Sequence, residues 1–221
     1  IFSSDIFSKI NLALSQNKET IKYLKNLGTK KIKFFGNLKF YREKKNLNIN
    51  SKLFNSFKNK KIWCSVSTHS PEEIKIGKIH KNFKFSKKNI LTIVIPRHIE
   101  RSESIINEFE NMGLNTQRHS ANKKVSKKID IYVVDTYGDT EKFCSFSNIV
   151  FMGGSFINHG GQNPLEAVRL GNKILHGPNI DNFKEVYEIL KQNRISKKVI
   201  TNNDLGNYIL KKINHKKNKE V

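Results

Sequence analysis

The segment GGSFINHGGQNPLEA, Gly153 to Ala167, holds the residues whose types and spacing best fit ligand chemistry. Two glycine pairs, Gly153-Gly154 and Gly160-Gly161, let the backbone turn sharply and approach a ligand. Asn163-Pro164 then opens a helix, because Asn caps well and Pro is favoured at the first helical position. A glycine-rich loop feeding a helix start turns N–H groups toward a phosphate or carboxylate. Leu165 and Glu166 lie in that first turn. Two roles fit Glu166. It can offset the helix dipole, worth about 0.3–1 kcal/mol, or accept the paired hydroxyls of a ribose.

Three further loops carry polar groups directly after apolar runs. In Ser67-Thr68-His69-Ser70-Pro71-Glu72-Glu73, Ser70 and Glu73 have capping-box spacing. His69 precedes the helix and is expected to face the crevice. In Pro96-Arg97-His98 an arginine stands where an anionic ligand would lie. Pairing of Arg97 with Glu100 is the alternative. In Asp135-Thr136-Tyr137-Gly138-Asp139, Gly138 allows close backbone approach to a ligand. Asp139 and Thr140 fit equally well as caps for the next helix.

These loops need a scaffold of alternating strands and helices. The apolar runs Lys61–Val66, Ile90–Ile95, Ile129–Val134, Asn148–Phe151 and Lys173–Leu175 read as strands, with Asn11–Ser15 and Lys31–Phe35 before them. Helical patterns fill the gaps: Asn17–Leu27 before Gly28, Leu53–Phe57, Pro71–His80, Glu100–Met112, Thr140–Phe146, Asn163–Leu170, Asn182–Gln192 and Asp204–Ile213. Asp5 is expected just ahead of a helix. Repeated units of this kind predict an α/β fold, a Rossmann-like parallel sheet covered on both faces. In such sheets ligands sit beyond the carboxyl ends of the strands, where all four loops fall. The polar stretch Asn37–Asn50 is the linker candidate, and residues 215–221 read as a frayed tail.

The chain has 221 residues, 37% hydrophobic and 27% charged, so it can bury a core. Lys plus Arg number 41 and Asp plus Glu 19, a net charge of +22. Nucleic-acid binding is a poor fit. Only 6 of the 41 cations are Arg, and the stretch from Leu91 to Ser120 has no Lys. Lys, Asn and Ile share AT-rich codons, which accounts for much of the excess. An anionic membrane surface suits such a charge better, at about 1 kcal/mol per Lys. The apolar runs fall far short of the roughly 20 residues that span a bilayer. Cys64 and Cys144 lie in apolar contexts and are expected to be buried free thiols. The chain begins at Ile1 with no signal-like start, so a piece of a longer protein is expected.

Taken in order, GNLKF (Gly36–Phe40), STH-x-x-EE (Ser67–Glu73), PRH-x-E-R (Pro96–Arg101), DTYGD (Asp135–Asp139) and GGS-x-x-x-x-GGQNPLE (Gly153–Glu166) resemble one family. It is the 3-deoxy-D-manno-octulosonic acid (Kdo) transferases of lipopolysaccharide synthesis. HGPNIDNF (His176–Phe183) is similar to a further segment of that family. Tyr137-Gly138-Asp139 stands where the family more often has Met-Gly-Glu, and Gln162 where His is common. The resemblance implies a GT-B enzyme, in which two Rossmann-like domains share the work. Residues 1–40 are then the end of the acceptor domain and 41–50 the linker. Residues 51–200 form the CMP-sugar donor domain, and 201–221 a helix and tail packing back toward the first domain.

The reaction so implied moves Kdo from CMP-Kdo to a lipid A precursor at the cytoplasmic face of the bacterial inner membrane. It inverts the anomeric centre and uses no metal or other cofactor. The donor-binding residues are Pro96, Arg97, Tyr137, Gly138, Asp139, Asn163, Pro164, Leu165 and Glu166. His69, Ser155, Gly160 and Gly161 are placed near the donor sugar. The resemblance puts the catalytic glutamate and a membrane-associated segment upstream of Ile1. A GT-B enzyme for a UDP- or GDP-sugar, and a nucleotide-binding module without catalysis, remain alternatives.

Overall fold

The computed structural model describes residues 2–16, 18–35, 51–86, 89–121 and 124–214. The GNLKF segment, the linker at 41–50 and the tail at 215–221 lie outside them. The chain divides into two compact units, residues 1–46 and 47–221.

In the first unit α1 (Phe2–Ser8), β1 (Ala13–Ser15), α2 (Lys18–Asn26) and β2 (Ile32–Phe34) follow one another. The two strands pair in parallel, with Ala13 opposite Ile32. Asp5 lies inside α1, in its first turn, rather than ahead of a helix. A carboxylate there opposes the positive end of the helix dipole. Gly28 closes α2 at φ +86°, a conformation that suits glycine.

The second unit is a seven-stranded parallel sheet. After α3 (Ser51–Phe57) come β3 (Lys61–Thr68), α4 (Glu72–Phe83), β4 (Ile90–Pro96), α5 (Ser102–Asn111), β5 (Thr116–Arg118) and β6 (Ile131–Val133). Then come α6 (Thr140–Ser145), β7 (Ile149–Met152), α7 (Leu165–Arg169), β8 (Lys173–His176), α8 (Lys184–Gln192), β9 (Ser196–Lys198) and α9 (Asn202–Lys212). The strand order is β5-β6-β4-β3-β7-β8-β9. Cys64 at the centre of β3 pairs with Ile93 of β4 on one side and Val150 of β7 on the other.

Alternation along the strands builds two apolar layers. Ile62, Cys64 and Val66 join Leu91, Ile93 and Ile95 in one layer, against Phe57, Phe143 and Val186. Trp63, Ile90 and Val94 face the other way, against Ile76, Phe83, Ile105 and Phe109. Both faces of the sheet are therefore covered, as the near-continuous apolar runs require. Cys64 and Cys144 are buried and not joined in a disulfide.

Differences from the expected elements have local causes. The sheet has two strands more than the apolar pattern indicates. Thr116-Gln117-Arg118 and Ser196-Lys197-Lys198 form its two edges. Edge strands need cover less apolar surface, so their residues are polar and carry no periodic signal. The helix after Asn163 is shorter than the spacing predicts, Leu165–Arg169, because Asn163 and Pro164 form its cap. α9 begins two residues early, at Asn202, because Thr201 and Asp204 make a reciprocal capping box. Its apolar stripe, Leu205 and Ile209, is buried in one layer with Ile79 and Phe83 of α4. The helix thus packs within the second unit.

At the amino-terminal end of β6, Asp130 accepts a hydrogen bond from Asn115 N–H (2.8 Å). It also pairs with Lys84 (2.7 Å) and His80 (3.6 Å). Burial alone raises its carboxyl, but these partners outweigh burial and hold it down to about 2, against an ordinary 3.8. A depressed folded-state value contributes stability above 3.8 that is lost as pH falls toward 2. Asp130→Asn is expected to lower the unfolding free energy at neutral pH by about 1–2 kcal/mol, after discounting for solvent screening. In urea titrations the gap between wild type and variant should close as pH drops from about 4 to about 2. A gap that persists at the lowest pH contradicts the assignment.

Candidate functional site

The strand order turns at β3: β4 lies on one side of it and β7, a later strand, on the other. The connections after β3 and β7 therefore leave the sheet in opposite senses, and a crevice opens between them. The chain enters it through a bulge. The β3 register shifts between Val66 and Thr68, and Ser67 sits at φ +54°. A non-glycine residue in that region costs about 1–2 kcal/mol. The loop after β7 crosses this bulge closely. A Cβ on Gly153 would stand 2.4 Å from Ser67 O and 2.6 Å from Thr68 Cα, so only glycine fits.

Glu72, in the first turn of α4, holds the two loops together. Its side chain is fully buried. One oxygen accepts from the N–H groups of His69 (3.1 Å) and Gly154 (2.7 Å). The other accepts from Ser155 N–H (3.2 Å) and Phe156 N–H (3.0 Å). A carboxylate offers about four lone-pair positions, and all four are used. Burial pushes this carboxyl above the usual carboxylate range, while the four N–H donors oppose that shift and favour the anion. The sequence reading assigned Glu72 no part. Its neighbour in the motif is spent differently. Ser70 and Glu73 form no capping box, and α4 has no side-chain cap. Glu73 is buried and takes a two-pronged bond from Arg101, at 3.1 and 3.4 Å.

His69 faces the glycine loop, its ring 3.5 Å from where a Cβ on Gly154 would stand. Its Nδ1 lies 3.1 Å from Ser67 O, and its buried Nε2 has no partner among the described residues. Its ring is 4.2 Å from that of His159 and 5.8 Å from that of His98. Burial, and then the neighbouring His159, lower its pKa, so the ring is held toward the neutral form. His98 and His159 were visible in the motifs but carried no pattern of their own. Ser155 points inward instead of toward a ligand. Its hydroxyl donates to Met152 O (2.5 Å) and accepts from Gly177 N–H (2.8 Å). Gly160 and Gly161 hold φ +81° and +76°, and a Cβ on Gly160 would strike Asn182.

The loops after β4 and β6 meet beside this crevice. Pro96 is buried at the end of β4. Arg97 is exposed; its N–H donates to Thr68 O (3.0 Å), and its guanidinium makes no ion pair among the described residues. Glu100 instead accepts from the Tyr137 hydroxyl (3.0 Å), so the Arg97–Glu100 pair does not form. Tyr137 is 72% exposed. Gly138 has φ +82° with open space where a Cβ would point. Asp139 precedes α6 without capping it. Its carboxylate is taken by Thr136 (2.5 Å) and Lys142 (3.2 Å), with His119 of the β5 loop at 3.8 Å. On β7's side, Asn163 Oδ1 accepts from Leu165 N–H (3.1 Å) across Pro164. Glu166 is half-buried in the first turn of α7. Tyr137–Asp139 and Asn163–Glu166 follow β6 and β7, which are separated in the sheet by the two strands β4 and β3.

Glu72→Gln replaces one acceptor oxygen with an NH₂ group that faces N–H donors. Two of the four loop N–H groups then lose their partner, at about 1–3 kcal/mol each. The variant is expected to be destabilised by about 2–5 kcal/mol in urea unfolding. Amide exchange at residues 154–156 should accelerate more than in β3. Unchanged exchange in that loop would show that Glu72 does not hold it.

No family model matches the chain. It is 34% identical over 201 residues to the 3-deoxy-D-manno-octulosonic acid transferase of Rickettsia felis, covering 90% of this chain and 42% of that protein. The Haemophilus influenzae enzyme of the same name is 28% identical over 195 residues, 84% of this chain and 44% of that protein. The chain thus spans less than half the length of these curated relatives. Its fold is similar to the C-terminal CMP-Kdo binding domain of WaaA from Acinetobacter baumannii. That match has a TM-score of 0.67 and 26% identity, covering 70% of this chain and 81% of that one. Along most of its length, and in its fold, this chain is thus similar to the carboxy-terminal portion of 3-deoxy-D-manno-octulosonic acid transferases.

Proposed function

We propose that this chain is the donor-binding part of a glycosyltransferase that moves Kdo from CMP-Kdo to a lipid A precursor. The observation that carries the reading is the Glu72-braced glycine loop at the switch point of the sheet. It stands in a chain whose structural neighbour is a CMP-Kdo binding domain. In the reaction an acceptor hydroxyl attacks the anomeric carbon of Kdo. The bond to the CMP phosphate breaks, and the electron pair leaves with CMP. Inversion requires a general base to take the hydroxyl proton, and in this reading the upstream domain supplies it.

The donor carries a phosphate and a sugar carboxylate, so the site must meet two negative charges. Arg97, exposed and without an ion-pair partner among the described residues, suits one of them by bidentate pairing. The Asn163 N–H at the start of α7 suits the leaving phosphate, with no metal ion required; Leu165 N–H is already bonded to Asn163 Oδ1, and the N–H groups of 154–156 to Glu72. Glu166 accepts the ribose hydroxyls. The backbone of Tyr137, Gly138 and Asp139 flanks cytosine beside Pro96. His69 and the backbone of Gly160 and Gly161 border the sugar, while Ser155 shapes the loop from within. Residues 1–40 are read as the end of the acceptor domain and residues 51–200 as the donor domain. Among the described residues no helix is long and apolar enough to cross a membrane. The net charge of +22 suits attachment to the anionic cytoplasmic face of the inner membrane.

Calorimetry with CMP tests this directly. The chain is expected to bind CMP, and Arg97→Gln to weaken binding by about tenfold or more, the scale of one charge-assisted bond. Glu166→Gln should weaken CMP more than 2′-deoxy-CMP, which lacks one of the hydroxyls. Absence of CMP binding by folded protein overturns the reading. Equal competition by UDP points instead to a different nucleotide sugar.

A further inference from the structure

At the amino-terminal ends of β3, β4 and β6, opposite the crevice, lies a cavity of about 200 Å³. Lys60, Lys84, Lys127 and Lys128 line it, with Asn89 and one acid, Asp130. Four lysines against one acid among the lining residues give a formal surplus of three positive charges. Asp130 cannot offset more of it, because Lys84, His80 and Asn115 N–H already engage both its oxygens.

Two of the lysines are held in place. The Lys60 ammonium donates to Asn89 Oδ1 (3.2 Å), Lys127 O (3.0 Å) and Ile129 O (3.2 Å). All three of its protons are used, and every acceptor is neutral. Asn89 is itself anchored, its amide donating to Asn59 O (2.9 Å). Lys84 donates to Asp130 and to Gly113 O (3.3 Å), which leaves one N–H. The ammonium groups of Lys127 and Lys128 have no acceptor among the described residues. Holding cations in place before a ligand arrives reduces the ordering cost of binding. Burial also lowers the Lys60 pKa, a strain that a bound anion would relieve.

We propose that this cavity is a second anion site, separate from the nucleotide crevice, that takes a phosphate monoester group. A surplus of three charges favours a dianion over a carboxylate. The volume falls below the roughly 300–1,000 Å³ of pockets for drug-sized ligands, so it suits a phosphate head rather than a whole nucleotide. The group is carried either by a small soluble phosphate or by a lipid headgroup.

Calorimetry of the chain with inorganic phosphate at low salt is expected to give saturable binding, with a dissociation constant at or below about 1 mM. The double variant Lys127→Gln/Lys128→Gln removes two exposed side chains. It should weaken binding at least about tenfold, the scale of losing charge-assisted contacts, while leaving CMP binding intact. A control of equal charge change, Lys191→Gln/Lys211→Gln, should leave phosphate affinity unaltered. Flotation with vesicles of phosphatidylcholine, with and without phosphatidic acid, separates the sources. Capture by phosphatidic acid that inorganic phosphate competes away and the Lys127/Lys128 variant loses assigns a lipid headgroup. Binding of inorganic phosphate without capture assigns a soluble ligand. No saturable phosphate binding, or equal losses in both double variants, overturns the proposal.

Discussion

A buried carboxylate accepting four backbone N–H groups is the interaction on which the crevice depends. Glu72 belongs to α4, but three of its four donors come from the loop after β7, more than eighty residues later. A glycine-rich loop loses more conformational freedom on ordering than most, so it needs strong and specific partners. Charge-assisted bonds to one anion supply them. The same anion would be costly if any donor withdrew, because a buried charge tolerates little loss of compensation. The loop and the carboxylate are therefore stable only together.

The glycines and the Ser67 bulge follow from that closeness. The loop after β7 passes over the β3 bulge so tightly that a Cβ at Gly153 would collide with backbone. Ser155 then closes the loop from inside, bonded to Met152 O and Gly177 N–H. What remains exposed is a rim of rings and one guanidinium. His69, His98 and His159 line it beside Arg97, whose charge is left for solvent or ligand. The contrast with Arg101 is instructive. Four residues farther along, the same side chain is tied bidentately to buried Glu73 and serves the scaffold.

The two ends of the sheet solve opposite electrostatic problems. At the carboxyl ends, backbone N–H groups converge on a buried acid. At the amino-terminal ends, lysines outnumber the single acid, Asp130, which His80, Lys84 and the Asn115 N–H keep ionised. A chain of net charge +22 must place many cations on its surface. Fixing some of them by hydrogen bonds around a concavity is a different matter from scattering them in solvent.

The alternation of apolar strands with amphipathic helices was legible in the sequence, because burial on both faces demands it. Ile90 to Ile95 reads as a covered strand, and the strand runs from Ile90 to Pro96, buried throughout. The loops at the strand ends were legible too, since glycine pairs, Asn-Pro and an arginine after a strand are local chemistry. The polar edge strands at Thr116 and Ser196 were not, because hydrogen-bond pairing alone makes them strands. Nor could spacing choose between the partners of a side chain. Glu73 looked like a cap and instead meets Arg101, a group brought to it by the fold, while Asp139, another cap candidate, is taken by its near neighbours Thr136 and Lys142. Glu72 was hidden for the same reason. Sequence encodes the tendency of each segment, but its partners lie across strand crossovers, and only the closed sheet brings a carboxylate of α4 to the amides after β7.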